Sequence, residues 1–200
     1  MTEFRKIAII GLGLIASSIC LSLRQKDPAI QIVGYDNDKE VRKRAKRIGL
    51  CEIESNIEKA VNDCNLIILC VPVGQMHPVI RKLKNFIEPG TIITDVGSVK
   101  LSVIKELEAH TEDAKGKFVP SHPIAGTEKS GPDAGSAGLF EGRWCILTPT
   151  KKTNKKALKS VEIFWRFLGM QTKIMTPEHH DLVLAVTSHA PHLIAYTMVG

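Results

Sequence analysis

The segment Gly11-Leu12-Gly13-Leu14-Ile15-Ala16 directly follows the apolar run Lys6 to Ile10 and opens a helix-length stretch, Leu14 to Arg24. Glycines at this spacing between a strand and a helix are the parts of a phosphate cradle. Gly11 permits a tight turn, Gly13 lets the backbone approach a pyrophosphate, and Ala16 is small enough for close packing of helix on strand. The anion would rest on the N–H groups of the first helical turn. Asp36 ends the next apolar run, where a carboxylate accepts hydrogen bonds from both ribose hydroxyls and repels a 2′-phosphate. Gly11, Gly13, Leu14, Ile15 and Asp36, with Val71 and Pro72 at the end of a later run, form the candidate cofactor set. They predict NAD, with NADP the weaker reading, kept open by Lys39 and Arg42 to Arg44 just beyond the acid.

A second group of residues suits acid–base work. His122 lies at the end of the fifth expected strand, on the edge of the sheet that carries the glycine turn, and an imidazole titrating near neutrality suits proton transfer. Ser98, in Asp95-Val96-Gly97-Ser98-Val99-Lys100, falls at the end of the fourth expected strand, where ligands of open α/β sheets bind. It reads either as a simple helix N-cap or as a site residue, and both can hold at once. Ser188-His189-Ala190-Pro191-His192 adds two imidazoles on one helical face, and with no third ligand at matching spacing no metal site is expected.

The elements that must position these groups follow from periodicity. Apolar runs of strand length recur at Lys6 to Ile10, Ile30 to Tyr35, Leu66 to Val71, Thr91 to Val96, Phe118 to Pro120 and Cys145 to Leu147. Helix-length stretches separate the early ones: Leu14 to Arg24, Asp38 to Ile48, Ile57 to Asn62, Gly74 to Ile87 and Val99 to His110. Continuously apolar strands alternating with helices imply an α/β fold with a doubly wound, mostly parallel sheet of the Rossmann type. From Ser121 the chain becomes a long glycine-rich loop, expected to be functional for its embedded His, Thr, Glu and Lys. A helix about Asn154 to Leu168 and a strand about Gln171 to Met175 come next. Pro177 then opens a last helix, with Glu178 and Asp181 placed to favour its dipole. That helix is apolar on most sides, which calls for a partner surface or for further helices. The division expected is a dinucleotide-binding domain over 1–175 and the first helix of an incomplete helical domain over 176–200.

Composition excludes more than it identifies. The 200 residues are 44% hydrophobic and 24% charged, ordinary for a globular protein and unlike a disordered or collagenous chain. The net charge of +6 comes partly from Lys39, Arg42, Lys43, Arg44, Lys46 and Arg47 around one expected helix, a solvated face or an attractor of small anions. Aromatics are only 5%, with no basic run interleaved by stacking residues, so nucleic acid is not expected as a partner. Five cysteines, odd in number and mostly inside apolar runs, read as reduced core thiols and place the protein in the cytoplasm. The uncharged run Ile7 to Leu23 is broken by Gly11, Gly13, Ser17 and Ser18, which argues for a buried strand and helix and against a membrane span.

The glycine turn with Ser17-Ser18, Asp95-Val96-Gly97-Ser98-Val99-Lys100, the loop His122-Pro123-Ile124-Ala125-Gly126-Thr127-Glu128-Lys129-Ser130-Gly131, and Ser188-His189-Ala190-Pro191-His192 together resemble one family through nearly the whole chain. It is that of the prephenate dehydrogenases, with the arogenate and cyclohexadienyl dehydrogenases of tyrosine biosynthesis. The resemblance implies oxidative decarboxylation of prephenate or arogenate, with hydride passing from ring carbon C4 to NAD as the C1 carboxylate leaves as CO2. It implies that neutral His122 draws the proton from the C4 hydroxyl and that Ser98 hydrogen-bonds the imidazole or that hydroxyl. Thr127, His189 and His192 become substrate-pocket positions, and Glu128 a gate. Family members continue into a helical dimerisation domain with a carboxylate-binding arginine. This sequence ends before it, so the 200 residues are expected to be weakly active or inactive, and the full-length protein a homodimer. Ala16 stands where the family often has glycine. Two other readings stay open from the residues: a non-catalytic NAD-binding or regulatory module, and another NAD-dependent dehydrogenase of small hydroxy acids.

Overall fold

The computed structural model describes residues 2–113 and 117–186. Six strands, β1 (Lys6–Ile10), β2 (Gln31–Tyr35), β3 (Glu52–Ile53), β4 (Leu66–Leu69), β5 (Ile92–Asp95) and β6 (Lys117–Val119), form a parallel sheet in the order β3-β2-β1-β4-β5-β6. Helices α1 (Leu14–Lys26), α2 (Lys39–Arg47), α3 (Ile57–Val61), α4 (Val73–Leu83) and α5 (Leu101–Asp113) connect them. This is the expected doubly wound arrangement, and the strand order reverses between β1 and β4. Successive side chains of β1 serve different cores. Ile7 and Ile9 join Ile19, Leu23 and Phe164 on one face, while Ala8 and Ile10 join Ile67, Met76 and Leu107 on the other. Burial on both faces is why these strands read as unbroken apolar runs.

The sequence does not announce a second sheet. β7 (Ser121–Pro123) runs antiparallel to β8 (Trp144–Leu147), which pairs in parallel with β9 (Gln171–Ile174), and helix α6 (Lys155–Phe167) links the last two. His122 therefore does not sit at the end of a strand of the large sheet. β6 stops at Val119, Pro120 has no N–H to continue a ladder, and the next three residues pair with β8, His122 lying opposite Ile146.

The glycine-rich loop starts only after Pro123, and its later half is packed scaffold. Pro132, Leu139 and Phe140 are buried, and a side chain at Gly135 would come within 2.5 Å of Ser17 Cβ on α1. The Ser136 N–H donates to Ser18 Oγ at 3.1 Å, which gives the small pair Ser17-Ser18 a physical reason. Arg44 on α2 forms an ion pair with Asp133 in the same loop. Arg42 donates to the carbonyls of Asp36 (2.5 Å) and Asn37 (3.1 Å), so two of the basic residues on α2 hold neighbouring segments in place.

Pro177 does open α7 (Pro177–Leu184), capped by Thr176, whose hydroxyl accepts the N–H of His179 at 3.2 Å. His189 and His192, and the apolar helix expected beyond them, lie outside the described residues. The five cysteines are free thiols. Among the described residues no helix is long and apolar enough to cross a membrane; the uncharged run at the N-terminus is β1, the turn and most of α1.

Candidate functional site

A cleft of about 980 Å³ opens along the carboxyl ends of β1, β2, β4 and β5, at the point where the strand order reverses. Gly11 forms its floor. The residue has φ of +93°, and a Cβ there would lie 2.8 Å from the carbonyl carbon of Cys70, so both conformation and space require glycine. Its N–H donates to the Tyr35 carbonyl at 2.7 Å, which ties the turn to β2. At Gly13 a Cβ would meet nothing within 4 Å, because the position faces the open cleft. The helix that begins there has no side-chain cap and no acid in its first turn. An anion is the fitting cap for such a helix end.

Asp36 sits at the rim. Its Oδ2 accepts the N–H of Leu12 at 2.8 Å and its Oδ1 the N–H of Asp38 at 2.9 Å, which fixes the carboxylate while leaving further lone pairs on both oxygens for ribose hydroxyls. Ile15, Val71 and Pro72 line the same cleft, so the expected cofactor residues come together with one exception. Leu14 is not among the lining residues; it is partly buried and packs against the core cluster that holds the buried residues of α1. Cradle, helix end and acid fit a dinucleotide.

The cleft's far wall holds His122, Pro123, Gly97 and Ser98. Ser98 is exposed within it, and α5 begins only at Leu101, so the N-cap reading of Ser98 does not hold. Two N–H groups at the start of that helix are taken by another element: Asp181 on α7 accepts from Lys100 (Oδ1, 2.8 Å) and Leu101 (Oδ2, 2.9 Å). Asp181 thus serves α5 and not the dipole of its own helix. Thr127 lies outside the lining and is exposed, its hydroxyl accepting the Lys129 N–H at 3.2 Å; Glu128 and Lys129 are exposed as well.

Among the described residues two sets of contacts position His122, and the sequence does not reveal that either reaches it. The first is a buried clasp. Asp95 and Lys100 are both fully buried and form an ion pair. Asp95 Oδ2 also accepts the Gly97 N–H at 2.9 Å, and its Oδ1 accepts the Ser121 N–H at 3.2 Å. Lys100 Nζ donates to the Ser121 carbonyl at 2.8 Å. The Ser121 hydroxyl donates to the Asp95 carbonyl at 2.7 Å and accepts from Trp165 Nε1 at 3.1 Å. Both backbone polar groups of the residue before His122 are therefore held by one ion pair, and the pattern Asp-x-Gly-x-x-Lys acquires a physical meaning.

The second set is a chain of three side chains. His122 Nδ1 lies 2.9 Å from His180 Nε2, and His180 Nδ1 lies 2.7 Å from Asp181 Oδ1. The two rings meet edge to face. Burial depresses the affinity of His180 for a proton, and Asp181 offsets this only in part. For Asp181, burial works against ionisation but is outweighed by the N–H groups of Leu101 and Lys100 and by His180, so its carboxyl stays below its ordinary range. His179-His180-Asp181 carries no motif of its own; only the fold brings it to His122.

The family model for the nucleotide-binding domain of prephenate dehydrogenase matches residues 19–174. A cyclohexadienyl dehydrogenase of Zymomonas mobilis is 43% identical over 201 residues, covering all of this chain and 68% of that protein. A prephenate dehydrogenase of Lactococcus lactis is 33% identical over 98% of this chain and 53% of its own length. Against these relatives the chain spans from about half to two-thirds of their length. The crystal structure of prephenate dehydrogenase from A. aeolicus, in complex with hydroxyphenyl propionate and NAD+, superposes with a TM-score of 0.89 at 37% identity, over 98% of this chain and 68% of that one. An arogenate dehydrogenase of Synechocystis gives 0.84 at 29%, over 97% and 68%.

Proposed function

Because the chain belongs to the prephenate dehydrogenase family and carries its nucleotide-binding domain, we propose that the protein oxidatively decarboxylates prephenate or arogenate, using NAD, in tyrosine biosynthesis. The observation that carries this reading is that His122 lines the same cleft as Gly11, Gly13 and Asp36. Bound NAD supplies the acceptor for the hydride that leaves ring carbon C4. The helix end at Gly13 receives the pyrophosphate and Asp36 the ribose hydroxyls. Neutral His122 takes the proton of the C4 hydroxyl as that oxygen becomes carbonyl-like, and returns it to the phenol oxygen once CO2 has left C1 and the ring is aromatic. Ser98, on the same wall, hydrogen-bonds the hydroxyl or the imidazole and aligns the two.

Thr127, His189 and His192 act as substrate-pocket positions in this reading, with Glu128 as a gate. Residues 1–175 form the dinucleotide domain, and 176–200 begin a helical domain through which the full-length cytoplasmic protein dimerises. Exposed Leu101, Leu182 and Val186 at the α5–α7 end of the molecule support a covering surface of that kind. The test is turnover of prephenate and of arogenate by the full-length protein and by His122→Asn. The variant is expected to lose ~10²-fold or more in kcat, the scale of a missing general base, with NAD affinity retained. Unchanged turnover removes His122 from the chemistry.

A further inference from the structure

The structure assigns to His180 and Asp181 a positioning role toward His122: through one hydrogen-bonded chain they fix its proton on Nδ1 and so make Nε2 the basic nitrogen. The inference rests on the reading of His122 as the base.

The argument is one of donors and acceptors. Ionised Asp181 can only accept, so the nitrogen 2.7 Å from its Oδ1, His180 Nδ1, must donate. A neutral imidazole has a single N–H, which leaves His180 Nε2 as an acceptor. The nitrogen 2.9 Å from it, His122 Nδ1, must then donate, and the lone pair of His122 falls on Nε2. A positively charged His180 would reverse this outcome, because its Nε2–H would donate to His122 Nδ1 and put the His122 proton on Nε2.

The surroundings favour the neutral ring. His180 is fully buried, and the groups around it are Asp181 on α7, Lys100 at the start of α5 and Asp95 at the end of β5. The Lys100 ammonium opposes a second positive charge beside it, and burial has the largest effect of all. Cys145 on β8, beside the backbone of His122, stays a neutral thiol because burial pushes it far above its ordinary range. Asp181 is itself immobilised by the two N–H groups that open α5, so the outer end of the chain is anchored in a helix terminus. When the substrate O–H bond breaks and the N–H bond forms at Nε2, the imidazolium of His122 gains a carboxylate at the end of a continuous hydrogen-bond chain.

The test reads the rings directly. Long-range 15N–1H correlation spectra of the protein at neutral pH, with and without NAD, are expected to show both His122 and His180 protonated on Nδ1 alone; spectra of His122→Asn and His180→Gln assign them. A proton on Nε2 of either ring overturns the proposal. Kinetics of the full-length protein supply a second readout. His180→Leu removes the acceptor and is expected to lower kcat by ~10²-fold, with KM changing less than ~2-fold. His180→Gln places its Oε1 where Nε2 stood, accepts from His122 Nδ1, and should recover to within ~10-fold of the parent. A Gln variant no faster than Leu overturns the role. Wild-type protein that fails to oxidise prephenate or arogenate defeats the substrate reading, while the ring spectra still decide this one.

Discussion

Replacing Lys100 by Met deletes the one cation of the clasp while nearly keeping its length and packing. Asp95 would remain fully buried with two N–H partners, those of Gly97 and Ser121, and with no counter-charge. The Ser121 carbonyl would lose its Lys100 donor. Breaking a buried pair from one side costs about 3–5 kcal/mol. That is a large share of the ~5–15 kcal/mol that holds a domain together. At roughly 2–4 °C per kcal/mol for a chain of this size, the melting temperature should fall by about 6–20 °C. Trp165 donates to the Ser121 hydroxyl, so its fluorescence reports the clasp locally, while urea unfolding followed by circular dichroism reports the whole. Asp95→Asn combined with Lys100→Met removes both charges and should recover at least ~1 kcal/mol over the single variant, since the cost lies in the orphaned carboxylate. A loss below ~1 kcal/mol for Lys100→Met would mean that this ion pair does not hold the strand of His122 in place.

Asp36→Asn should weaken NAD by about 10-fold or more, since a hydrogen bond to a charged acceptor contributes about 1.5–3 kcal/mol, and should narrow the preference over NADP by removing the charge that repels a 2′-phosphate. Calorimetric titration checks this, and equal NAD affinity in variant and parent would contradict the ribose assignment. Stability should also depend on pH through His180. Burial depresses its folded-state pKa below the ordinary 6.5, so the unfolded chain binds the proton more readily. The contribution is complete above pH 6.5 and is lost as the pH falls from there through the lower folded value. Asp181, also depressed, adds a second loss below its ordinary 3.8. Urea midpoints across this range should decline towards acid, and His180→Gln should flatten the upper limb; an unchanged slope there would count against a buried neutral ring.

The large sheet was legible because each of its longer strands is buried on both faces and bounded by a helix, which leaves an apolar run that no loop imitates. β3 escaped notice because it is a two-residue edge, and β7 because three residues containing a proline have no periodicity to read. The cofactor cradle depends on neighbours in sequence, and Gly11, Gly13 and Asp36 came together as their spacing implied. Leu14, next to them in sequence, is not among the residues that line the cleft, whereas Ile15 is. His122 was singled out for its position at the sheet edge, and it does line the cleft, although from a different sheet. The groups that hold it were hidden for a different reason. Lys100 is a lysine with no exposed surface, against the usual rule for that residue, and His180 is separated from His122 by 58 positions. Contacts of that kind are set by tertiary packing.

Asp181 joins three elements at a single carboxylate: the helix it belongs to, the start of α5, and through His180 the strand of His122. The dinucleotide cradle has no share in that junction. On the proposed reading the groups that hold the coenzyme and those that align His122 come from separate parts of the chain, so a shift of α7 would break the contact with His122 while leaving Gly11, Gly13 and Asp36 in place.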